Sequence, residues 1–138
     1  DIGIALSAPQ GLLVPVIRNV DLKPFSEIEQ KIYDFGVEAK NSSITTAQMS
    51  GATFTITNGG IYGSMMSTPI LNPPQNGIIG LHQIKDRAIV ENGEIKIKPM
   101  MYIALTYDHR AISGKEAVSF LVKVKEFIEK PERMLIGS

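Results

Sequence analysis

The segment 99–128 constrains the fold most, because it reads in succession as an apolar strand, a tight turn and an amphipathic helix. The run 99–106 is apolar and begins with proline, which is typical of a buried strand. Ser113 stands three residues before Glu116, which is the spacing of a capping box at a helix start. Apolar residues then recur at helical spacing, at Ala117, Phe120, Leu121, Val124, Phe127 and Ile128. The pattern predicts a strand-to-helix turn over residues 107–112.

His109 is the residue of this turn best suited to proton transfer. It lies one turn outside the predicted helix, where the positive end of the helix macrodipole disfavours the imidazolium ion. A neutral imidazole is what a general base requires. On the turn alone, the commoner interpretation is a histidine that only satisfies the end of a strand.

Two antiparallel hairpins are predicted elsewhere. The strand-like runs 2–7 and 12–18 flank a turn signal that contains proline and glycine. The dipeptide Asn92-Gly93 joins the runs 84–90 and 94–98 and is the strongest hairpin signal in the chain. A helix is predicted over about 25–39, where apolar residues recur at helical spacing.

The start of that first helix is marked by Pro24 and by the Ser26/Glu29 pair, which has capping-box spacing. A further strand is predicted over 52–57, followed by a functional loop over 60–76. Strands outnumber helices, so the sequence predicts an α+β two-layer sandwich with a mixed or antiparallel sheet and helices on one face. Residues 1–138 are expected to form a single domain.

Composition excludes several classes of function. Lys+Arg and Asp+Glu are both 14, so net charge favours neither nucleic acid nor an anionic membrane. The chain has no cysteine, and therefore no thiolate nucleophile or cysteine zinc site of its own. Its two histidines, His82 and His109, are too far apart in sequence to suggest a metal pair. No apolar run approaches the ~18 residues of a membrane span.

Three motifs share one interpretation: Phe-Thr-Ile-Thr-Asn-Gly-Gly at 54–60, Ser-Thr-Pro-Ile-Leu-Asn-Pro-Pro-Gln at 67–75, and Asp-His-Arg at 108–110 with Gly114. Together they resemble the catalytic core of dihydrolipoamide acyltransferases, whose fold is similar to that of chloramphenicol acetyltransferase. The segment 63–70 and Leu81-His82 most resemble the succinyltransferase branch, which belongs to the 2-oxoglutarate dehydrogenase complex. The resemblance implies the C-terminal part of such a core, without its lipoyl domain, subunit-binding domain or first helices.

The resemblance also implies substrates and partners. The substrates would be coenzyme A and a lipoyl-lysine on a lipoyl domain, with no metal. The core would be a homotrimer with active sites between subunits, assembled into a larger, cubic or icosahedral particle. Its partners would be the dehydrogenase and dihydrolipoamide dehydrogenase components of the complex. The location would be the cytoplasm of a bacterium or the matrix of a mitochondrion.

Residue roles carry over motif by motif. His109 would take the proton from the thiol of dihydrolipoamide or coenzyme A, and Thr57 would donate a hydrogen bond to the tetrahedral oxyanion. The two would meet across a subunit boundary. Considered alone, Thr57 is an ordinary strand residue. Ser64, Ser67 and His82 match positions associated with the distal carboxylate of a succinyl group, although polar loop residues and a lone strand histidine would look the same.

Ser113 departs from the family pattern, which usually has aspartate at this position. Its strongest interpretation is the N-cap of the last helix, since serine and aspartate both cap. The substitution removes a negative charge that, by resemblance, helps to hold the active-site turn through an ion pair. It therefore motivates one alternative, a scaffold form of the core with impaired catalysis. A serine hydrolase that uses His109 is a second alternative, although the chain has no nucleophile elbow.

Overall fold

The computed structural model describes residues 1–137 and contains nine strands and two α-helices within them. The strands are β1 Ile2–Ile4, β2 Leu6–Ala8, β3 Gly11–Leu13, β4 Val16–Ile17, β5 Phe54–Asn58, β6 Gly77–Leu81, β7 Lys85–Glu91, β8 Glu94–Met100 and β9 Ile103–Tyr107. The helices are α1 Phe25–Lys40 and α2 Gly114–Glu129. Contacts divide the chain into two compact units, Asp1–Thr106 and a second unit that begins at Tyr107.

The first hairpin is confirmed, but a break divides it into two pairs of strands. β2 pairs with β3 around the tight turn, and β1 pairs antiparallel with β4. The interruption falls at Ala5 and at Val14-Pro15, because proline has no N–H to donate to a ladder. A bond from the Ile4 N–H to the Pro15 carbonyl, 2.8 Å long, keeps the two arms aligned across the break.

The central sheet of the first unit has the order β4-β1-β5-β6-β9. β1 is antiparallel to β4 and parallel to β5, and β5 is parallel to β6, so the sheet is mixed. The predicted α+β class with a mixed sheet is confirmed. No strand was predicted at β6, whose five residues include two glycines. A β-carbon at Gly77 would lie 2.7 Å from the Phe54 ring, so the close approach of that ring accounts for one of them.

The core of the first unit lies where α1 meets the sheet. Val16 and Ile17 of β4 are buried, as are Phe35 and Ala39 of α1, and Phe35 lines the same cavity as the two β4 residues. The helix itself is confirmed over Phe25–Lys40. Its predicted capping box is wrong: Pro24 is the N-cap without any side-chain bond, because the helix begins one residue before Ser26.

β7 and β8 form a separate two-stranded ribbon, as the Asn-Gly signal predicted. Asn92 and Gly93 have φ angles of 53° and 76°, the left-handed conformation that a two-residue hairpin turn of this kind requires. The predicted single strand over 99–106 is wrong, because β8 continues through Met100 in register with Lys85 and β9 begins afresh at Ile103. Proline at 99 is tolerated because a ribbon has free edges.

The second unit contains the end of β9, the turn that follows it and α2. Ser113 is the N-cap of α2 with both bonds of a capping box, which confirms the prediction. A short 3-10 turn over Pro131–Met134 follows the helix. Among residues 1–137, no helix is long and apolar enough to cross a membrane.

Candidate active site

The turn that carries His109 is closed by its neighbour Asp108. The Asp108 backbone carbonyl accepts the N–H groups of Ala111 and Ile112, each at 3.0 Å. Its carboxylate accepts the Arg110 backbone N–H at 3.0 Å and the Arg110 guanidinium at 2.7 and 3.0 Å. Five residues therefore form one compact turn whose hydrogen bonds converge on a single aspartate.

Arg110 balances the charge of this aspartate. Hydrogen bonds from the Arg110 side chain and then from its backbone lower the pKa of Asp108 from 3.8 to about 2. The same contact raises the pKa of the Arg110 guanidinium. The arginine side chain is 91% exposed, so solvent screens the pair and its contribution is mainly to geometry. The paired bonds between the Arg110 guanidinium and the Asp108 carboxylate are called the Asp108–Arg110 fork here. Because Asp108 is the anionic partner of Arg110, an acidic residue at position 113 is not needed for this ion pair.

His109 is exposed at the apex of the turn. Its ring lies against Tyr107, with centroids 5.6 Å apart and planes tilted by 41°. In the described part of the chain, no protein group hydrogen-bonds to either of its ring nitrogens. Both nitrogens are therefore available to a substrate from outside this unit, as a general base requires.

Ser113 acts on the helix start. Its hydroxyl accepts the Glu116 N–H at 3.2 Å, and the Glu116 carboxylate accepts the Ser113 N–H at 2.7 Å. The bond from the Ser113 backbone is the main cause that lowers the pKa of Glu116. Capping is thus the role that the geometry gives Ser113, and a part in the chemistry stays a prediction.

Thr57 belongs to the first unit, near the end of β5. It is half-buried, and it lies opposite Gly80 in the parallel ladder to β6. Thr55 lies on the same face, two residues earlier, and is fully buried with its hydroxyl donating to Gln75 at 2.6 Å. Over residues 1–137 the Thr57 hydroxyl has no protein partner. It is therefore free to donate to a bound group.

The structure brings Ser64, Ser67 and His82 together through the loop that follows β5. The Ser67 N–H donates to His82 Nε2 at 2.9 Å, and the Ser67 hydroxyl lies 3.0 Å from the same nitrogen. The Ser64 carbonyl accepts the Gln83 N–H at 2.8 Å, one residue beyond His82. The loop thus lies beside the end of β6, where the Ser67 hydroxyl contacts His82 and the Ser64 backbone is bonded to the residue after it.

His82 itself is buried, with 3% of its surface exposed. Its Nδ1 lies 2.9 Å from the Tyr102 carbonyl, which can only accept, so Nδ1 carries the proton. Nε2 is then the acceptor for Ser67. Gly60 allows this packing, because a β-carbon there would overlap the His82 carbonyl group. Both ring nitrogens are occupied by protein partners.

The match to known proteins covers almost the whole chain. The family model for the catalytic domain of 2-oxoacid dehydrogenase acyltransferases matches residues 1–136. The chain belongs to this acyltransferase family. The succinyltransferase component of the 2-oxoglutarate dehydrogenase complex from Rickettsia felis is 56% identical to it over 137 residues, which are 99% of this chain and 34% of that protein. The chain therefore spans about one third of the length of its curated relatives.

Solved structures agree with the fold. A dihydrolipoamide acetyltransferase of Azotobacter vinelandii superposes with a TM-score of 0.93 at 32% identity, over 97% of this chain and 55% of that one. The cubic core of a pyruvate dehydrogenase multienzyme complex gives the same TM-score, identity and coverage. The acyltransferase fold predicted from the three motifs is thereby confirmed.

Several contacts of the chain were missed from the sequence. The Asp108–Arg110 fork has a local signal, since the two residues are two positions apart and oppositely charged. The hydroxyl of Thr106, which donates to the Pro69 carbonyl at 2.6 Å, has none, because 37 positions separate its partners.

Proposed function

We propose that this chain transfers a succinyl group between the dihydrolipoyl thiol of a lipoylated domain and coenzyme A. The observation that carries the proposal is the turn around Asp108, which holds an exposed imidazole with both nitrogens unoccupied by protein groups. The 56% identity to a named succinyltransferase supports the choice of acyl group. Both substrates bring their own thiols, which suits a chain without cysteine.

His109 is the proposed general base. Its imidazole takes the proton of the acceptor thiol, and the thiolate sulfur attacks the carbonyl carbon of the acyl thioester. The tetrahedral intermediate collapses with cleavage of the original C–S bond, and the departing thiolate recovers the proton from the imidazolium ion. A free thiol titrates about two units above an imidazole, so the first transfer is uphill by roughly 2.7 kcal/mol. That is small beside a catalytic barrier.

Thr57 is the proposed donor to the oxyanion of that intermediate. Its hydroxyl makes no bond to protein in the described chain, so donation to the oxyanion sacrifices no existing contact. A single pre-organised donor contributes about 3 kcal/mol to a transition state of this kind. The rigid parallel ladder to β6 fixes the backbone from which the hydroxyl projects.

The acyl pocket is proposed to include Ser64 and Ser67, with His82 behind them. The Ser67 N–H already donates to His82 Nε2, so the exposed Ser67 hydroxyl can turn its proton toward a succinyl carboxylate, and Ser64 offers a second hydroxyl. An acetyl chain has no such acceptor. A hydrogen bond to a charged group contributes about 1.5–3 kcal/mol, enough for tenfold or greater preference. The family branch predicted from the sequence is supported by this arrangement.

The assembly is proposed from the relatives. One solved neighbour is the cubic core of a pyruvate dehydrogenase multienzyme complex, which supports assembly of this chain into a larger core. The homotrimer that the family resemblance implies is the proposed building unit of that core. Lipoyl domains and the two dehydrogenase components would then be its partners. The proposed location is the bacterial cytoplasm or the mitochondrial matrix.

A thiol-dependence assay tests the function. The longest natural form of the protein that contains these 138 residues is given succinyl-dihydrolipoamide with and without coenzyme A. Transfer that requires coenzyme A supports the proposal, whereas release of succinate into water alone would indicate a hydrolase. No turnover of either kind would favour the scaffold form. The Ser113→Asp variant is the matched control, because it restores the residue usual in the family and keeps a helix cap.

A further inference from the structure

The segment Ser67–Pro69 is attached to the sheet at both of its ends. At the first end, the Ser67 N–H and hydroxyl meet His82 Nε2 at 2.9 and 3.0 Å. At the other, the Pro69 carbonyl accepts the Thr106 hydroxyl at 2.6 Å. Between these bonds the segment covers Gly80, since a β-carbon there would lie 3.4 Å from Pro69 Cγ and 3.4 Å from His82 Cε1.

His82 has no hydrogen-bonding capacity left for a ligand. A neutral imidazole has one donor and one acceptor. The donor is used by the Tyr102 carbonyl and the acceptor by Ser67. Only 3% of the surface of His82 is exposed, so a substrate would have to displace Ser67 to reach the ring. His82 therefore acts on the proposed acyl pocket through its hydrogen-bonded neighbour Ser67.

Thr106 makes the corresponding bond from β9. It is half-buried, and its hydroxyl has the Pro69 carbonyl as its only hydrogen-bond partner in the described chain. Tyr102, which holds His82, lies just before the same strand. The two attachments of the Ser67–Pro69 segment therefore depend on β9 and on the residue just before it, in the stretch of chain that continues directly into the His109 turn.

We infer that His82 and Thr106 are positioning residues that set acyl-chain selectivity by fixing the Ser67–Pro69 segment, without touching the acyl group. The inference rests on the proposed succinyl transfer. If either bond is removed, the segment can shift, and the Ser67 hydroxyl no longer stands where a carboxylate would pair with it. Succinyl transfer then falls more than acetyl transfer.

The test compares Thr106→Val with Thr106→Ser. Valine keeps the branched shape but has no donor, whereas serine restores the donor. We expect the ratio of kcat/KM for succinyl over acetyl to fall about tenfold in Thr106→Val and to recover in Thr106→Ser, since one lost polar pairing is of that size. Thr53→Val is the matched control, because the Thr53 hydroxyl also donates to a backbone carbonyl, that of Asp1 at 3.1 Å, away from this segment.

Amide hydrogen exchange gives a second readout that needs no turnover. The Ser67 amide should exchange faster in Thr106→Val than in the unmodified protein, and at the unmodified rate in Thr53→Val. Should Thr106→Val not fold, His82→Asn takes its place, because asparagine can still donate to Tyr102 but is too short to accept from Ser67.

Unchanged selectivity in a folded Thr106→Val protein would overturn the inference, as would an equal loss of both activities. If the unmodified protein transfers no acyl group while Ser67 exchange still responds to Thr106→Val, the proposed function fails and the attachment of the segment stands. The two failures are therefore distinguishable.

Discussion

Replacing Thr57 by valine removes one hydroxyl and little else. The side chain is half-buried at the end of β5, and its hydroxyl makes no protein hydrogen bond in the described chain. Valine has nearly the same shape and favours strands, so no cavity forms and no buried partner is orphaned. The free energy of unfolding should change by less than about 0.5 kcal/mol. Any large effect on turnover must then arise in the transition state.

The expected effect on turnover is large. Loss of a single oxyanion donor costs about 3 kcal/mol, and about 1.4 kcal/mol corresponds to tenfold, so kcat should fall on the order of 10²-fold. KM should change little, because the oxyanion exists only in the transition state. Thr57→Ser keeps the hydroxyl and should remain within a few-fold of the unmodified protein. The assay is steady-state succinyl transfer to coenzyme A, accompanied by urea unfolding of each variant.

Two results would show that the Thr57 hydroxyl is not the oxyanion donor. Equal rates for the valine and serine variants would show that the hydroxyl is not the relevant group. A rise in KM at unchanged kcat would place the hydroxyl on the substrate in its ground state.

Three further predictions concern the local structures around the site. Ser113→Ala should lower the free energy of unfolding by about 1 kcal/mol through loss of the cap, whereas Ser113→Asp should preserve it, as urea titration will show. The pKa of Asp108 is lowered from 3.8 to about 2, so its ion pair stabilises the turn above that range and the stabilisation disappears as the pH falls through about 2. In NMR titration, Arg110→Gln should move the Asp108 midpoint upward; an unmoved midpoint would contradict the fork. Gly60→Ala should destabilise the loop at His82 by overlap with its carbonyl group, seen as faster hydrogen exchange there than in Gly36→Ala, at a helix glycine with nothing near the added β-carbon.

Local signals made the helices and the ribbon predictable. The capping box of Ser113 and Glu116 lies within four residues, and the Asn92-Gly93 turn within two, so each can be read without tertiary information. The boundary of β9 could not be read in the same way. It depends on how far β8 stays paired with β7, which the register of the whole ribbon decides.

The site was predictable only where its residues are close in sequence. The strand-to-helix turn around His109 follows from local pattern, and the family motifs supplied the role of Thr57. The two hydrogen-bonded attachments of the Ser67–Pro69 segment join residues 15 and 37 positions apart, so no local sequence pattern predicts them. β6 was missed for the same reason. Its Gly77 leaves room for the ring of Phe54, which lies on β5, and this close approach cannot be seen in the local sequence.

The proposed mechanism depends on the exposed imidazole of His109, which accepts the proton of the acceptor thiol. The most direct test is kcat/KM for succinyl transfer in His109→Ala, with cooperative unfolding recorded to establish that the variant folds. General-base catalysis typically contributes 10²–10⁴-fold, so a loss of at least about 10²-fold is predicted in the folded variant. Full activity in a folded His109→Ala protein would show that His109 is not the general base.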